Sequence, residues 1–223
     1  MTVKGERIVG FCRQSIIVNR NVMAPRHKTQ VTARVAVAAT NQMATEHRTI
    51  TVLDVGTGSG AIILVVAKET EDSNMKIEYL ACDISVEALQ VARRNADHLK
   101  KANVVEFFQS DLLTSIPTVP DVIIANLPYV PDGQEPPELA REEPRCAVFD
   151  TGDGTEILDK LCTQIDQLQR KGNGPKRLIF ETDPNLVERS MDIIRLRFRN
   201  HPSSVVVHAD QNLDLRTVEV SWT

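Results

Sequence analysis

Ile50-Thr51-Val52-Leu53-Asp54-Val55-Gly56-Thr57-Gly58-Ser59-Gly60-Ala61-Ile62-Ile63-Leu64 changes character twice within a few residues. Ile50–Val55 is a β-branched apolar run, the pattern of a buried strand. Gly56, Gly58 and Gly60 then interrupt it, and an apolar stretch from Ala61 to Lys68 starts a helix. Glycines let the backbone turn tightly and approach a ligand with no Cβ in the way. The helix N-terminus beyond them supplies free N–H groups. A strand, a glycine turn and a helix in this order open a parallel α/β sheet whose ligand lies at the strand ends.

The next apolar run, Ile77–Cys82, ends at Asp83. A carboxylate about 20 residues past a glycine turn can accept both hydroxyls of a ribose. Any adenosine-containing cofactor suits this geometry. Gly56, Gly58 and Ala61 also satisfy a nicotinamide fingerprint, so the turn alone does not separate a dehydrogenase from a methyltransferase. Two acids favour S-adenosylmethionine. Asp54 sits where it can influence the cofactor's charged amino end, and Asp111, after the third strand, can accept from an adenine amino group. Each alone is more often a solvated loop residue or a helix cap; their recurrence at successive strand ends argues for one site.

The remaining elements follow outward. Ser85 caps a helix over about 86–100, with Glu87 in its first turn and Ala88, Leu89, Ala92, Ala96 and Leu99 on its inner face. Val104–Phe108 is a third strand and Asp121–Ala125 a fourth. Residues 130–154 are a long loop rich in Pro, Gly and Glu, of a length that is functional or disordered. A helix from Thr155 to Gln169, a fifth strand Arg177–Glu181 and a helix from Asp183-Pro184 to about Arg199 come next. Val205–His208 and Arg216–Trp222 close the chain as an antiparallel pair. Upstream, Arg7–Phe11 and Ser15–Val18 read as a hairpin, and Thr29 caps a helix to about Glu46 with Val31, Val35, Ala38, Ala39 and Met43 inward. The expected organisation is a hairpin extension over 1–28 and one α/β domain over 29–223.

Composition narrows the function classes. Four scattered cysteines with no CxxC pair and no His cluster indicate reduced thiols and neither zinc nor a disulfide framework. No apolar run approaches the ~20 residues of a membrane span, and residues 1–6 lack a signal-peptide core. A cytoplasmic protein with no membrane partner is expected. A net charge of −4 gives no general footprint for nucleic acid.

The fourth strand runs into Asn126-Leu127-Pro128-Tyr129. Here an amide, a stiff turn and a ring meet where such sheets bind ligands. Seen alone, the tetrapeptide reads as readily as a turn in which Asn126 caps backbone and Tyr129 packs in the core. Glu181 is a wall residue or, more simply, half of a salt bridge; Arg145 steers an acidic substrate or pairs with Glu142 or Glu143; Trp222 is core.

The order Asp54-Val-Gly-Thr-Gly-Ser-Gly60, Ala-Cys-Asp83-Ile84-Ser, Ser-Asp111-Leu112-Leu and Asn126-Leu-Pro-Tyr129 resembles the class I S-adenosylmethionine-dependent methyltransferases. More narrowly it resembles the HemK/PrmC family, which methylates a glutamine side-chain amide in peptide release factors. Pro25-Arg26-His27-Lys28-Thr29-Gln30 occupies the place of that family's Pro-Arg-Pro-Glu-Thr-Glu; Glu143-Pro144 with Asp153-Gly154, and Asp210 with Arg216, occupy two further motifs. The family's tetrapeptide is Asn-Pro-Pro-Tyr, and Leu127 replaces its first proline, a variant shared with rRNA adenine dimethyltransferases. Full-length members carry an N-terminal helical domain with no expected counterpart in these residues. The resemblance implies a Rossmann-like fold with a mostly parallel seven-stranded sheet, an antiparallel closing strand and helices on both faces. It implies cofactor contacts from Asp54, Gly56, Thr57, Gly58, Gly60, Asp83, Ile84, Asp111, Leu112 and Asn126. Catalysis falls to Asn126, Pro128 and Tyr129, and substrate contact to these with Leu127 and Arg26. The expected partner is a protein carrying a glutamine. An adenine N6 methyltransferase is the alternative, then a non-catalytic cofactor-binding module; a dehydrogenase comes last.

Overall fold

All six residues of Ile50–Val55 are buried, because helices cover both faces of the sheet in which this strand is central. The structure, a computed structural model, describes residues 5–43, 49–71, 76–201 and 203–222. In chain order its elements are β1 (Arg7–Phe11), β2 (Gln14–Val18), α1 (Gln30–Met43), β3 (Ile50–Val55), α2 (Ala61–Glu69), β4 (Ile77–Asp83), α3 (Val86–His98), β5 (Val105–Gln109) and β6 (Val122–Ala125). They continue with α4 (Arg145–Val148), α5 (Glu156–Arg170), β7 (Arg177–Glu181), α6 (Val187–Arg197), β8 (Ser203–Ala209) and β9 (Leu215–Trp222).

The main sheet has the order β5-β4-β3-β6-β7-β9-β8. β5, β4, β3, β6 and β7 pair in parallel, while β9 runs antiparallel to both β7 and β8. Alternation along β3 feeds two cores: Val52 joins the one holding α1, α2 and the hairpin, and Leu53 the one holding α5 and α6. Trp222 lies in the second core, edge-on to Phe198 at 4.9 Å between centroids. This is the expected doubly covered, Rossmann-like sheet, and its strand order reverses between the parallel neighbours β3 and β6, where such folds bind ligands.

Two helix readings need correction. The inner face of α1 is Thr32, Ala33, Ala36, Ala39 and Thr40, while Ala38 is exposed and Val31 and Val35 are half-buried. The apolar pattern misplaced the face because threonines are buried here with their hydroxyls satisfied. Thr40 donates to the Ala36 carbonyl (2.8 Å), and Thr32 shares a bond with Thr217 (2.9 Å). Thr29 ends a 3₁₀ turn over His27–Thr29 and makes no capping bond. The expected end of this helix, 44–46, lies outside the described residues. Likewise Asp183 caps a 3₁₀ turn over Pro184–Leu186, accepting from Asn185 N at 3.0 Å, and α6 begins only at Val187.

Residues 130–154 are stitched to the strand ends. Val130 N bonds Val148 O (3.2 Å), Asp150 N bonds Val130 O (2.9 Å), and Asp132 N bonds Gly152 O (2.9 Å). Asp150 is buried and accepts from the amides of Gly154, Glu156 and Ile157 at 2.9–3.0 Å. It therefore caps α5 from inside the loop. At Gly154, φ is +98° and a Cβ would lie 2.5 Å from the Tyr129 carbonyl oxygen, so only glycine fits against the tetrapeptide.

Candidate active site

Strand register alone lines up the chemistry. Val55 pairs with Cys82 and with Ala125, and Ala125 pairs with Phe180. One residue further on, Asp83, Gly56, Asn126 and Glu181 stand side by side at the carboxyl end of the sheet, each step about 4.8 Å. A cavity of about 510 Å³ opens above this row, lined among others by Gly56, Gly58, Asp83, Asp111 and Asn126.

The glycine turn is held from below and from the side. Thr57 N donates to Cys82 O (2.9 Å), and Gly60 N to Thr57 O (2.8 Å). Asp83 accepts from Gly58 N through Oδ2 and from Ser85 N through Oδ1, both at 2.9 Å. It still faces the cavity, where each oxygen has a lone pair to offer. Burial raises its pKa, and the backbone bonds hold it down. Gly56 has φ +68°, and a Cβ there would meet Leu127 Cδ2 at 3.0 Å. Leu127 thus seats its side chain on the bare Cα of the glycine turn and locks the two motifs together.

Among the expected cofactor residues, Thr57, Gly58, Ile84, Asp111 and Leu112 line the same cavity. Ile84 is exposed on its rim, Leu112 is buried at φ +53°, and Asp111 is paired with Lys160. Asp54 and Gly60 lie beneath the turn and not on the cavity wall. Asp54 is buried and accepts from Thr57 Oγ1 at 2.7 Å. Burial raises its pKa from 3.8 to about 7. The folded protein therefore keeps this proton between about pH 4 and 7 while the unfolded chain releases it. Stability contributed here is present below pH 4 and is lost as pH rises to about 7. Asp54→Asn is expected to gain on the wild type by about 4 kcal/mol across that window, read by urea denaturation from pH 4.5 to 8. A pH-independent difference would count against a buried proton.

Asn126 Oδ1 is buried and has no hydrogen-bond partner. A buried, unpaired amide oxygen costs about 1–3 kcal/mol unless a ligand meets it. Beyond Leu127 and Pro128 lies a second pocket of about 360 Å³, lined by Tyr129, Arg26, Lys28 and Arg216. Met23, Leu127, Pro128 and Ala147 line both cavities, so the tetrapeptide forms part of the wall between them. Burial, then the charge of Glu181, pushes the Tyr129 hydroxyl pKa well up, so the ring presents a neutral face.

Several partnerships differ from expectation. Glu143 pairs with Arg26 (2.6 Å) and accepts from Ala24 N (2.9 Å); Arg145 instead pairs with Asp132 and lies over the Phe149 ring. Arg26 also donates to Leu139 O (3.1 Å), so it ties the entry strap to the long loop. Glu181 is buried and makes no ion pair among the described residues. Its Oε2 accepts from Thr32 at 3.3 Å and its Oε1 has no hydrogen-bond partner. The salt bridge expected of it is absent there because β9 places Thr217, not a base, beside it. Two residues escaped sequence reasoning. Asp150 lay in an apparent loop, and Asn95 looked like one more polar helix residue.

A family model described as a methyltransferase domain matches residues 46–172. A release factor glutamine methyltransferase from Rhodopirellula baltica is 38% identical over 179 residues, 78% of this chain and 58% of that protein. One from Dictyoglomus turgidum is 30% identical over 216 residues, 93% of this chain and 70% of that protein. The chain thus spans little more than half the length of the first. Among solved structures, the hMettl16 catalytic domain in complex with MAT2A 3'UTR hairpin 1 superposes with a TM-score of 0.68 at 12% identity, covering 92% of this chain and 72% of that one. At that identity the likeness is one of fold.

Proposed function

Because this chain belongs to the release factor glutamine methyltransferase family of class I S-adenosylmethionine-dependent methyltransferases, we propose that it methylates the side-chain amide nitrogen of a glutamine in a protein such as a peptide release factor. The observation that carries this reading is the buried, unpartnered Oδ1 of Asn126 at the end of β6, a residue that lines the larger cavity. That these relatives are release factor glutamine methyltransferases supports a protein substrate.

The cavity residues suit the cofactor. Gly56, Thr57 and Gly58 give it close backbone approach. Asp83 offers carboxylate oxygens to a diol, and Ile84 and Leu112 an apolar slot beside Asp111. Asp54 and Gly60 act from below by holding the turn. The group supplies an electrophilic methyl carried on a sulfonium, whose sulfur keeps the bonding pair. An amide nitrogen is a poor nucleophile because its lone pair is delocalised. Asn126 Oδ1 accepts one amide proton and the Leu127 carbonyl the other, which holds the nitrogen in line and draws charge from it as the new N–C bond forms. Pro128 fixes that geometry and Tyr129 covers the planar group. The released proton leaves through these acceptors to water. Catalysis is then positioning plus matched electrostatics, with no strong base.

A second reading, adenine N6 methylation, draws on the basic side chains of Arg26, His27, Lys28 and Arg216 beside Tyr129. Arg26 and Arg216 are already paired, however, and an RNA site needs several free cations along a strand. The deciding experiment gives labelled S-adenosylmethionine and the protein to a cell extract, then separates protein from nucleic acid. Label is expected in protein and, after hydrolysis, as N5-methylglutamine. Label confined to RNA would transfer the assignment to the second reading.

A further inference from the structure

The hairpin carries an open strand edge set among unpaired arginines. Asn95 on α3 binds both Ile17 N (2.7 Å) and Ile17 O (2.8 Å), so the backbone groups of Ile17 point away from β1. Ile8 is the antiparallel partner of Ile17. Directly opposed residues of an antiparallel pair either bond each other or both turn outward. The N–H and C=O of Ile8 therefore face away from β2, and so do those of Gly10, two residues on. Among the described residues β1 pairs with no strand but β2. Ile8 is 52% exposed, and Arg7 and Gly10 are exposed beside it. Charge is as lopsided as the bonding. Glu6 is the single acid of residues 1–45, and it is paired with Arg94. Arg7 and Arg20 stand at the open end of the hairpin, Arg20 two residues past Val18, the partner of Arg7; Arg13 stands in the turn that joins Phe11 to Gln14. All three are exposed and form no ion pair among the described residues.

We propose that the outer edge of β1 is a docking strand for an extended, acidic segment of the methyl-acceptor protein, bound by strand addition at a distance from the glutamine. This rests on the protein-acceptor reading and gives it a second point of contact. The outward N–H and C=O of Ile8 and of Gly10, about 7 Å apart along the strand, are the donors and acceptors of a ladder. Gly10 has nothing within 4 Å of where a Cβ would stand, so a second backbone can come close. Ile8 gives apolar contact, and the arginines answer acidic side chains of the incoming strand. Charges on an edge strand also keep other copies off. Here a second copy would bring its own arginines against these, which disfavours self-pairing and favours an acidic partner. A nucleic-acid strand would use the arginines but has no peptide groups to offer Ile8 and Gly10. The location suits an acceptor. Asn21, Val22 and Met23, three to five residues past β2, line the cofactor cavity, and Met23 and Arg26 line the pocket beside Tyr129. A chain held on β1 is thus tethered close to both, which raises the local concentration of its glutamine.

Binding and methyl transfer are measured separately on the full chain, with S-adenosylhomocysteine present in the binding arm. The probes are blocked, fluorescent peptides: a short strand of alternating Val and Glu, the same strand with Lys for Glu, and the acidic strand with its valines replaced by proline. An RNA oligonucleotide of matched charge completes the set. The acidic strand is expected to bind about 10-fold tighter than its proline or its Lys counterpart. Ile8→Pro removes an N–H that β2 does not use, so it should abolish the difference between the acidic strand and its proline form while the melt and S-adenosylhomocysteine affinity hold. Arg7→Glu with Arg13→Glu, exposed changes that leave the backbone alone, should transfer the preference to the Lys strand. For methyl transfer, one glutamine peptide is joined through a Gly/Ser linker to the acidic strand or to its proline form. The acidic strand should lower KM about 10-fold and leave kcat unchanged, and Ile8→Pro should erase that gain while sparing the unlinked glutamine peptide. Equal binding of the acidic strand and its proline form, a preference that survives the arginine reversal, an unchanged KM, tighter binding of RNA, or a dimer of the chain alone that Ile8→Pro dissolves would overturn the docking strand. Selective binding of the acidic strand with no methylation of any glutamine peptide would leave the docking strand standing and sink the glutamine reading.

Discussion

Asn126→Ala is expected to lower kcat/KM for methyl transfer by about 10²–10³-fold. The side chain follows β6 directly, and the register with β3 and β7 fixes its position between Gly56 and Glu181. Its Oδ1 is already desolvated and unpaired in the free protein. An acceptor in that state needs no reorganisation when an amide proton arrives, and it strengthens as the nitrogen becomes cationic. Truncation removes it from the transition state more than from the ground state, so kcat should fall more than KM changes. S-adenosylhomocysteine affinity, read by calorimetry, should move by less than about 10-fold, since the cavity wall has many other members. Asn126→Asp keeps an acceptor and should retain more activity than the alanine variant. An alanine variant within a few-fold of wild type would show that Asn126 only shapes the turn.

Asn95→Ala is expected to cost about 2–4 kcal/mol, the largest single stability loss predicted for a polar residue here. Asn95 is fully buried on α3. Its Oδ1 accepts from Ile17 N at 2.7 Å, and its Nδ2 donates to Ile17 O at 2.8 Å and to Ser59 O at 2.9 Å. One amide thus joins the hairpin strand β2 to the glycine turn. Alanine would strand an N–H and two carbonyls away from water. Thermal unfolding should drop by about 5–15 °C for a chain of this size, and proteolysis should open first in residues 6–24. Asn95→Asp is the informative control: it can accept from Ile17 N but cannot donate to either carbonyl, and it adds a buried charge. It should be at least as damaging as alanine. A mild effect of both would mean that the hairpin is held by Phe11, Ile16 and Val18 in the apolar core alone.

Those two residues differ in how readable they were. Asn126 stood out because its whole context is contiguous: an apolar strand, then Asn, Pro and Tyr. Asn95 sits in a helix whose neighbours mark only the inner face, and nothing nearby names Ile17 as its partner. The same contrast runs through the motifs. Pro25-Arg26 and Glu143-Pro144 were each visible as separate segments, yet only the fold shows that Arg26 and Glu143 are one ion pair, 117 positions apart. Arg145, the nearer base to Glu143 in the chain, faces Asp132 because the short helix α4 turns it toward the outer side of the loop. Leu127 read as a departure from a proline, and its use became clear only where its Cδ2 meets the space over Gly56.

By itself the sequence determined the succession of strands and helices, the glycine turn, the row of strand-end acids and the Asn-Leu-Pro-Tyr tetrapeptide. Each is written in a few consecutive residues, because strand and helix periods, turn chemistry and capping are local properties of the backbone. Only the tertiary structure decided which buried polar atoms are satisfied and which are left waiting. It placed Thr32 and Thr40 on the inner face of α1, gave Asp150 to the start of α5, tied Asn95 to β2, and left Asn126 Oδ1 and Glu181 Oε1 without hydrogen-bond partners. The reason is physical: a hydrogen bond needs its two atoms within about 3 Å and aligned, and that condition is set by sheet register and helix packing between segments far apart in the chain.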